Sequence, residues 1–255
     1  MISFLIRHFG WRRENFRKEK IPAVFGLYII TYGVVGAILA KYTTWDSDPA
    51  AQLYLIAILG FGTLGFADDV FGNRDVGGFK GHFKKLLLEG KLTTGATKAI
   101  GGGLLSIFLA WRTSSGHIGF WVLDAAIIAL AANTINLLDL RPGRALFAFF
   151  LGIGIAAILA WGHISAPTVI FTIALAAVAV ACYDCRGRAM LGDVGSNTLG
   201  AVLGLSFALD ASPTSKITAA LLFFAINVYS ERCSISKLIE RHPLLARIDS
   251  KLGVR

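Results

Sequence analysis

The stretch 61-FGTLGFADDVFGNRDVGG-78 carries an apolar run into two adjacent acids, Asp68 and Asp69, and then into glycines and charged residues. A greasy segment ending in paired carboxylates is either a core helix of a soluble domain or a membrane span reaching its polar lip. Composition separates the two. Hydrophobic residues make up 55% of the 255, only 16% are charged, and the mean hydropathy is +0.64. A soluble domain carries about 25% charge. So few charges cannot cover a compact soluble protein of this size, and the chain reads as a single integral membrane domain over 1–255.

Working outward from the opening stretch, apolar runs recur at about 23–40, 50–67, 98–111, 118–138, 145–161, 166–182, 194–209 and 215–230. Most approach the roughly 17–25 residues that cross a bilayer. The expected fold is therefore all-α: a polytopic bundle of about eight transmembrane helices. Charge gives it an orientation. The loops 11–22, 68–98, 139–144, 183–193 and 231–255 hold 5, 6, 2, 2 and 6 Lys or Arg, which is 21 of the 25. The alternate loops hold only Lys41, Arg112 and Lys216. By the positive-inside bias the basic loops are cytoplasmic, in a cell membrane.

The net charge of +9 is thus spread over several loops, which disfavours a nucleic-acid partner and favours anionic lipid head groups. The tail 231–255 mixes apolar and basic residues and reads as a cytoplasmic amphipathic segment, interfacial or solvated. The start, MISFLIRHFG, is apolar but too short to span and lacks a signal-peptide cleavage site; residues 1–22 read as an interfacial segment or the stub of a first span. Cys182 and Cys185 form a CxxC with too few further ligands nearby for a metal, and these thiols and Cys233 read as structural. The small-residue strings GAILA, GGG and GIGIA permit close helix packing within one chain or in a homo-oligomer.

The acids sort by side. Asp46, Asp48 and Asp210 fall in outward loops and read as solvated charges. Asp124 lies inside a span and reads as a functional group, a helix-end residue or a partner in an interhelical hydrogen bond. On the cytoplasmic side Asp68 and Asp69 end one span, Asp139 ends another in 133-NTINLLDLRPGRA-145, and Asp193 precedes a third in 190-MLGDVGSNTLG-200. Carboxylates gathered in a low-dielectric rim repel one another. A shared proton or a divalent cation relieves the repulsion, and oxygen ligands of this kind suit Mg²⁺, with Mn²⁺ compatible. The neighbouring residues favour the cation. The glycine-rich GDVGSN string brings backbone N–H groups to an anion, Arg141 and Arg144 offer phosphate-binding forks, and Lys80, Lys84 and Lys85 add positive charge beside the acid pair. Asn133 and Asn136 read equally as interhelical hydrogen-bonding groups.

Together FADDVFGN at 66–73, NTINLLDLRPGRA at 133–145, MLGDVGSNTLG at 190–200 and NFRKEKIPAVFGL at 15–27 resemble the polyprenyl-phosphate N-acetylhexosamine-1-phosphate transferases. That membrane family includes the phospho-N-acetylmuramoyl-pentapeptide transferases and the enzymes that initiate teichoic acid and O-antigen. The resemblance implies a Mg²⁺-dependent reaction: a polyprenyl phosphate attacks the sugar-side phosphorus of a UDP-sugar, UMP leaves, and a polyprenyl-diphospho-sugar remains in the membrane to start an envelope glycan. It implies catalytic roles for Asp68, Asp69 and Asp139, with metal ligation by Asp193 and Asp68. It makes Asn136, Asn197, Arg141, Arg144, Lys80, Lys84 and His82 candidates for substrate contact.

The chain also departs from the family. Pro142 stands where a second loop aspartate would align, the histidine-rich loop before the last spans is missing, and there are fewer spans than usual. The last two features argue against the muramoyl-pentapeptide branch. Three other functions share some of these features: a transporter of an anionic lipid or nucleotide, a phosphotransferase with an alcohol acceptor, and an inactive scaffold. Transport sites lie near the bilayer midplane, whereas the acids here gather at one side.

Overall fold

The computed structural model describes residues 10–15, 17–43, 49–72, 93–114, 116–161 and 163–254. After a short antiparallel ribbon, β1 (Arg12–Glu14) and β2 (Lys20–Pro22), come eight long helices: α1 (Leu27–Thr43), α2 (Pro49–Phe71), α3 (Thr94–Thr113), α4 (Ile118–Leu138), α5 (Arg144–Leu159), α6 (Pro167–Asp184), α7 (Gly192–Asp210) and α8 (Pro213–Ser230). Two short helices close the chain, α9 (Ile235–Arg241) and α10 (Pro243–Leu252). Each long helix coincides with one apolar run of the sequence.

The starts have local causes. Proline opens α2, α6, α8 and α10, where its missing N–H costs nothing and its fixed φ favours the first turn. Thr93 caps α3 by accepting from the Ala96 N–H at 3.2 Å, and Ser212 caps α8 by accepting from Ser215 at 3.3 Å. Among the described residues three helices, α2, α4 and α6, are long and apolar enough to cross a membrane, and α1 and α5 are shorter apolar helices. The molecule is an all-α, multi-pass membrane bundle with the ribbon at one end.

Helix α7 is the centre. Every residue from Val194 to Ala208 is buried. A helix enclosed by protein does not need lipid-compatible hydropathy, which explains its glycines, serines and threonines. Those small residues let neighbours approach closely. A Cβ at Gly200 would overlap the Ala132 backbone of α4, and one at Gly204 the backbone of Ile128. On the other flank the Tyr54 hydroxyl of α2 hydrogen-bonds Ser206 at 2.8 Å.

The far end of the bundle holds Asp124, fully buried on α4. Lys216 Nζ lies 2.9 Å from one of its oxygens and donates to the other at 3.2 Å, and Thr113 donates at 3.2 Å. Asp124 thus ties α3, α4 and α8 together. Asp210, expected to be solvated, accepts from the Ser165 N–H at 3.2 Å and from the Ser165 hydroxyl at 2.6 Å, and so fixes the turn before α6. Asp46 and Asp48 lie outside the described residues, as do Arg7 and His8.

Removing one partner of a buried ion pair strands the other charge, a cost of about 3–5 kcal/mol. Lys216→Met is therefore expected to lower the thermal unfolding midpoint in detergent, and adding Asp124→Leu should restore most of the loss. Equal midpoints for wild type and Lys216→Met would remove the pair from the account.

Candidate active site

Four elements converge at the end of the bundle opposite Asp124. Helix α2 delivers Asp68 and Asp69 in its last turn, α4 runs into Asp139, α6 ends on Asp184, and α7 begins with Gly192 and Asp193. The approach of α2 to α7 depends on glycine. A Cβ at Gly65 would run into the Asp193 carbonyl. Gly192 adopts φ +73° while sitting against Ala23 O and the Asp69 carboxylate, a conformation and a space that suit glycine alone.

The ribbon closes one side. Pro22 O accepts from Met190 N at 2.8 Å, and Met190 O and Leu191 O accept from Phe25 N at 3.1 Å and Gly26 N at 2.9 Å. Asn15 holds the ribbon turn, its Oδ1 accepting from the N–H groups of Arg17 and Glu19 while its Nδ2 donates to Gly187 O at 3.3 Å. The Arg13 guanidinium donates to the main-chain oxygens of Asp69 and Asp68. A cation thereby satisfies carbonyls at the C-terminus of α2.

The carboxylates are held individually. Asp69 Oδ2 accepts from Val194 N at 2.9 Å, pinning the first turn of α7 to α2. Lys98, from the first turns of α3, bridges Asp68 at 3.0 Å and Asp193 through a very short contact. Asn136 Nδ2 donates to Asp193 Oδ1 and to Ser196 Oγ, both at 3.0 Å, and Asn197 Nδ2 donates to the Asp193 carbonyl at 2.6 Å. Asp184 accepts from Gly143 N at 2.7 Å and from Leu191 N at 3.2 Å, joining the loop after α4 to the loop before α7. Burial, together with the negative charges of Asp184, Asp193 and Asp69, pushes the Asp139 carboxyl well above the usual carboxylate range, so its neutral form is favoured.

These groups surround a cleft of about 290 Å³ whose walls include Arg13, Asp68, Asp69, Asp139, Arg141, Asp184 and Asp193. A second cavity of about 420 Å³ runs beside it, largely apolar, with Phe61, Leu64, Ala99, Ala132 and Leu137 in its walls. Asp68 and Gly95 line both. Lys98, Asn133, Asn136 and Asn197 stand on the groove side.

The structure therefore brings Asp68, Asp69, Asp139, Asp193, Asn136, Asn197 and Arg141 to one place. Arg144 is a correction. Instead of facing the cleft it is buried, its Nε and Nη2 donating to the two Asp249 oxygens at 2.6 and 2.9 Å and its Nη1 to Ser236 Oγ at 2.8 Å. Its guanidinium fork holds the C-terminal tail. Lys80, His82, Lys84 and Lys85 lie outside the described residues. Sequence reasoning missed Lys98 and Arg13, which it counted only among the basic loop residues, and passed over Asp184. Lys98 and Asp184 could have been found by position, because each lies at a span end on the same side as the acid pair, whereas Arg13 sits in the ribbon and carried no such signal. Among the described residues Cys182, Cys185 and Cys233 form no disulfide.

An all-oxygen set of carboxylates suits a hard divalent ion. Among the described residues no group of three His, Cys, Asp or Glu side chains is arranged to hold a metal. Mg²⁺ needs fewer protein ligands than that, because it is commonly held by one or two carboxylates together with phosphate and water. The Lys98 ammonium between Asp68 and Asp193 marks a position where two acids already share positive charge. The residues present fit such an ion, with Lys98 as its competitor.

Fold and site together define a polytopic helical membrane protein with an acid-lined cleft at one end and a largely apolar cavity that shares Asp68 and Gly95 with it. No protein-family model matches the chain. Among curated proteins it is 28% identical over 205 residues to the phospho-N-acetylmuramoyl-pentapeptide-transferase of Clostridium perfringens, covering 76% of this chain and 61% of that protein. It is 28% identical over 233 residues to the protein of the same name from Francisella philomiragia, and 26% over 203 residues to that of Halalkalibacterium halodurans. Coverage in these two is 76% and 75% of this chain, and 60% and 61% of the relatives. The chain thus spans about three fifths of the length of the curated relatives it matches. The relationship is distant and consistent. The relatives bear the name of the branch that the missing histidines argue against, so the two signals diverge on the donor.

Lys98→Met removes the cation between Asp68 and Asp193, and stranding buried polar or charged groups in this way costs about 1–3 kcal/mol or more. The variant is expected to melt earlier than wild type in chelator and to recover with added Mg²⁺ more than wild type does. Identical Mg²⁺ responses in the two proteins would dissociate Lys98 from any cation position.

Proposed function

We propose that this protein transfers a sugar 1-phosphate from a UDP-sugar, of the N-acetylhexosamine class, to a polyprenyl phosphate. The products are UMP and a polyprenyl-diphospho-sugar that initiates a cell-envelope glycan. The observation that carries the reading is the junction of the two cavities at Asp68. A lipid-anchored phosphate and a soluble nucleotide need opposite surroundings and must still meet, and an apolar groove that opens on a polar cleft at one carboxylate is suited to that. The distant transferase relatives point the same way. In this reading the eight long helices are the spans, and the cleft faces the cytoplasm because the basic loops lie on its side.

The reaction forms a bond from a lipid phosphate oxygen to the sugar-side phosphorus and breaks that phosphorus's bond to the oxygen that leaves with UMP. Asp193 and Asp68 would hold Mg²⁺ or Mn²⁺, which when bound neutralises the diphosphate and the charge on departing UMP. Asp68, the acid shared with the groove, orients the lipid phosphate, which is already an anionic nucleophile. Asp69 is committed to Val194 N, so it fixes the cleft floor from the reacting side. Asn136 and Asn197 hold Asp193 through its side chain and its carbonyl. Arg141 and Arg13 supply positive charge at the nucleotide end, with Asp139 beside them in the cleft wall as the third catalytic acid. Lys80, Lys84 and His82 follow Asp69 closely in sequence and are assigned to the nucleotide entrance. A transport pathway is disfavoured because the cleft acids gather at one end of the bundle and not near mid-membrane.

Purified protein with Mg²⁺, polyprenyl phosphate and a panel of UDP-sugars is expected to release UMP with at least one donor. Asp193→Asn should cut turnover by about 100-fold or more, the scale of losing one preorganised electrostatic group, and leave the folded fraction intact. Asp68→Asn should behave likewise. Asp69→Ala should also lower the thermal midpoint, because the Val194 N–H loses its acceptor. No UMP from any donor, or full activity in Asp193→Asn, would overturn the reading.

A further inference from the structure

The C-terminal helices are held to the bundle in one orientation. Arg144, at the start of α5, reaches across to Asp249 on α10 and to Ser236 on α9. Beyond α10, Val254 N donates to Cys185 O at 2.9 Å, and Gly253 packs so closely on Pro142 that a Cβ there would meet its carbonyl. Asp249 is buried, so α10 cannot rotate without breaking its ion pair.

That fixed rotation decides what α10 shows to the outside. Leu244 and Ile248 sit one turn apart on the same face and are 66% and 37% exposed. Arg247 and Lys251 lie on the adjoining face, exposed, and Arg241 and Lys237 of α9 are exposed nearby in the chain. Soluble proteins do not usually order a helix in order to turn its leucine and isoleucine to water. The bundle beside the latch is apolar on its outside as well, because Phe147 and Leu151 follow Arg144 on α5 and are both exposed. The exposed apolar surface of α5 thus leads to the root of the tail.

We propose that α10, steered by its latch, lies in the membrane interface and binds an anionic lipid surface. Leu244 and Ile248 enter the acyl boundary while Arg241, Arg247 and Lys251 reach the phosphates of anionic head groups. Glu240 is the exposed acid among them, and Asp249 is neutralised by Arg144. The occupant is the bilayer in which the chain already resides, and the charge balance of the exposed face makes it selective for anionic lipid. The inference depends on membrane residence and is independent of the transferase reading.

The test uses the full chain with Cys182, Cys185 and Cys233 changed to Ser. A single nitroxide is placed through Leu244→Cys, Ile248→Cys or Ser250→Cys, and the protein is reconstituted in vesicles of phosphatidylcholine alone or mixed with phosphatidylglycerol. Power saturation then compares access to oxygen with access to a nickel chelate. In the mixed vesicles the labels at 244 and 248 should favour oxygen several-fold over the label at 250. That preference should shrink in phosphatidylcholine alone and in the Arg241→Gln/Arg247→Gln/Lys251→Gln variant. Water-like values at 244 and 248 in both vesicles would overturn the proposal. So would depth indifferent to phosphatidylglycerol, or label–label broadening that disappears on dilution with unlabelled chain and so reports a second copy as the occupant.

Discussion

Acidic side chains crowded at the lip of an apolar bundle repel one another, and most of the architecture around the cleft responds to that repulsion. Lys98 sits between Asp68 and Asp193. Arg13 covers the carbonyl end of α2. Asp69 and Asp184 are satisfied by backbone N–H groups, from Val194, Gly143 and Leu191. Burial pushes Asp139 toward its neutral form as well. The acids are thus held in more than one way: Asp69 and Asp184 by backbone N–H groups, Asp68 and Asp193 by one shared ammonium ion.

Helix packing makes this crowding feasible. The first turn of α7 fits against α2 only because Gly65 leaves room for the Asp193 carbonyl, and against the chain entering α1 because Gly26 meets Gly195 backbone to backbone. Farther along, Gly200 and Gly204 let α4 lie directly on α7. Small residues in the core bring backbones close, and close backbones bring acids distant in sequence to one cleft. The same packing leaves a largely apolar cavity between α2, α3 and α4 with Asp68 in its wall.

Much of this was legible in the sequence. Apolar runs located all eight long helices because burial and lipid both select for apolar side chains. Acids at three span ends located the cleft because a carboxylate at a span end on one side has few other places to go. What was not legible depends on contacts across the chain. Lys98 read as a topology charge because nothing local links it to Asp193, 95 residues away. Arg144 read as an anion clamp because its true partner, Asp249, lies 105 residues downstream. The ribbon was hidden because its strands are only three residues each and are held by Asn15 and by the loop before α7. Burial on all sides explains why α7 carries so many small and hydroxyl-bearing residues.

The central claim is that lipid phosphate and nucleotide diphosphate meet at the cleft–groove junction beside Asp68. The most direct measurement follows a UDP-sugar carrying ³²P at the sugar-side phosphorus, incubated with the purified protein, Mg²⁺ and polyprenyl phosphate and then partitioned between water and organic solvent. The account predicts that the label moves into the lipid phase together with the sugar, that the released UMP is unlabelled, and that Asp68→Asn and Asp193→Asn abolish the transfer. Label that stays in the aqueous phase, or that reaches the lipid equally well in both variants, would contradict it.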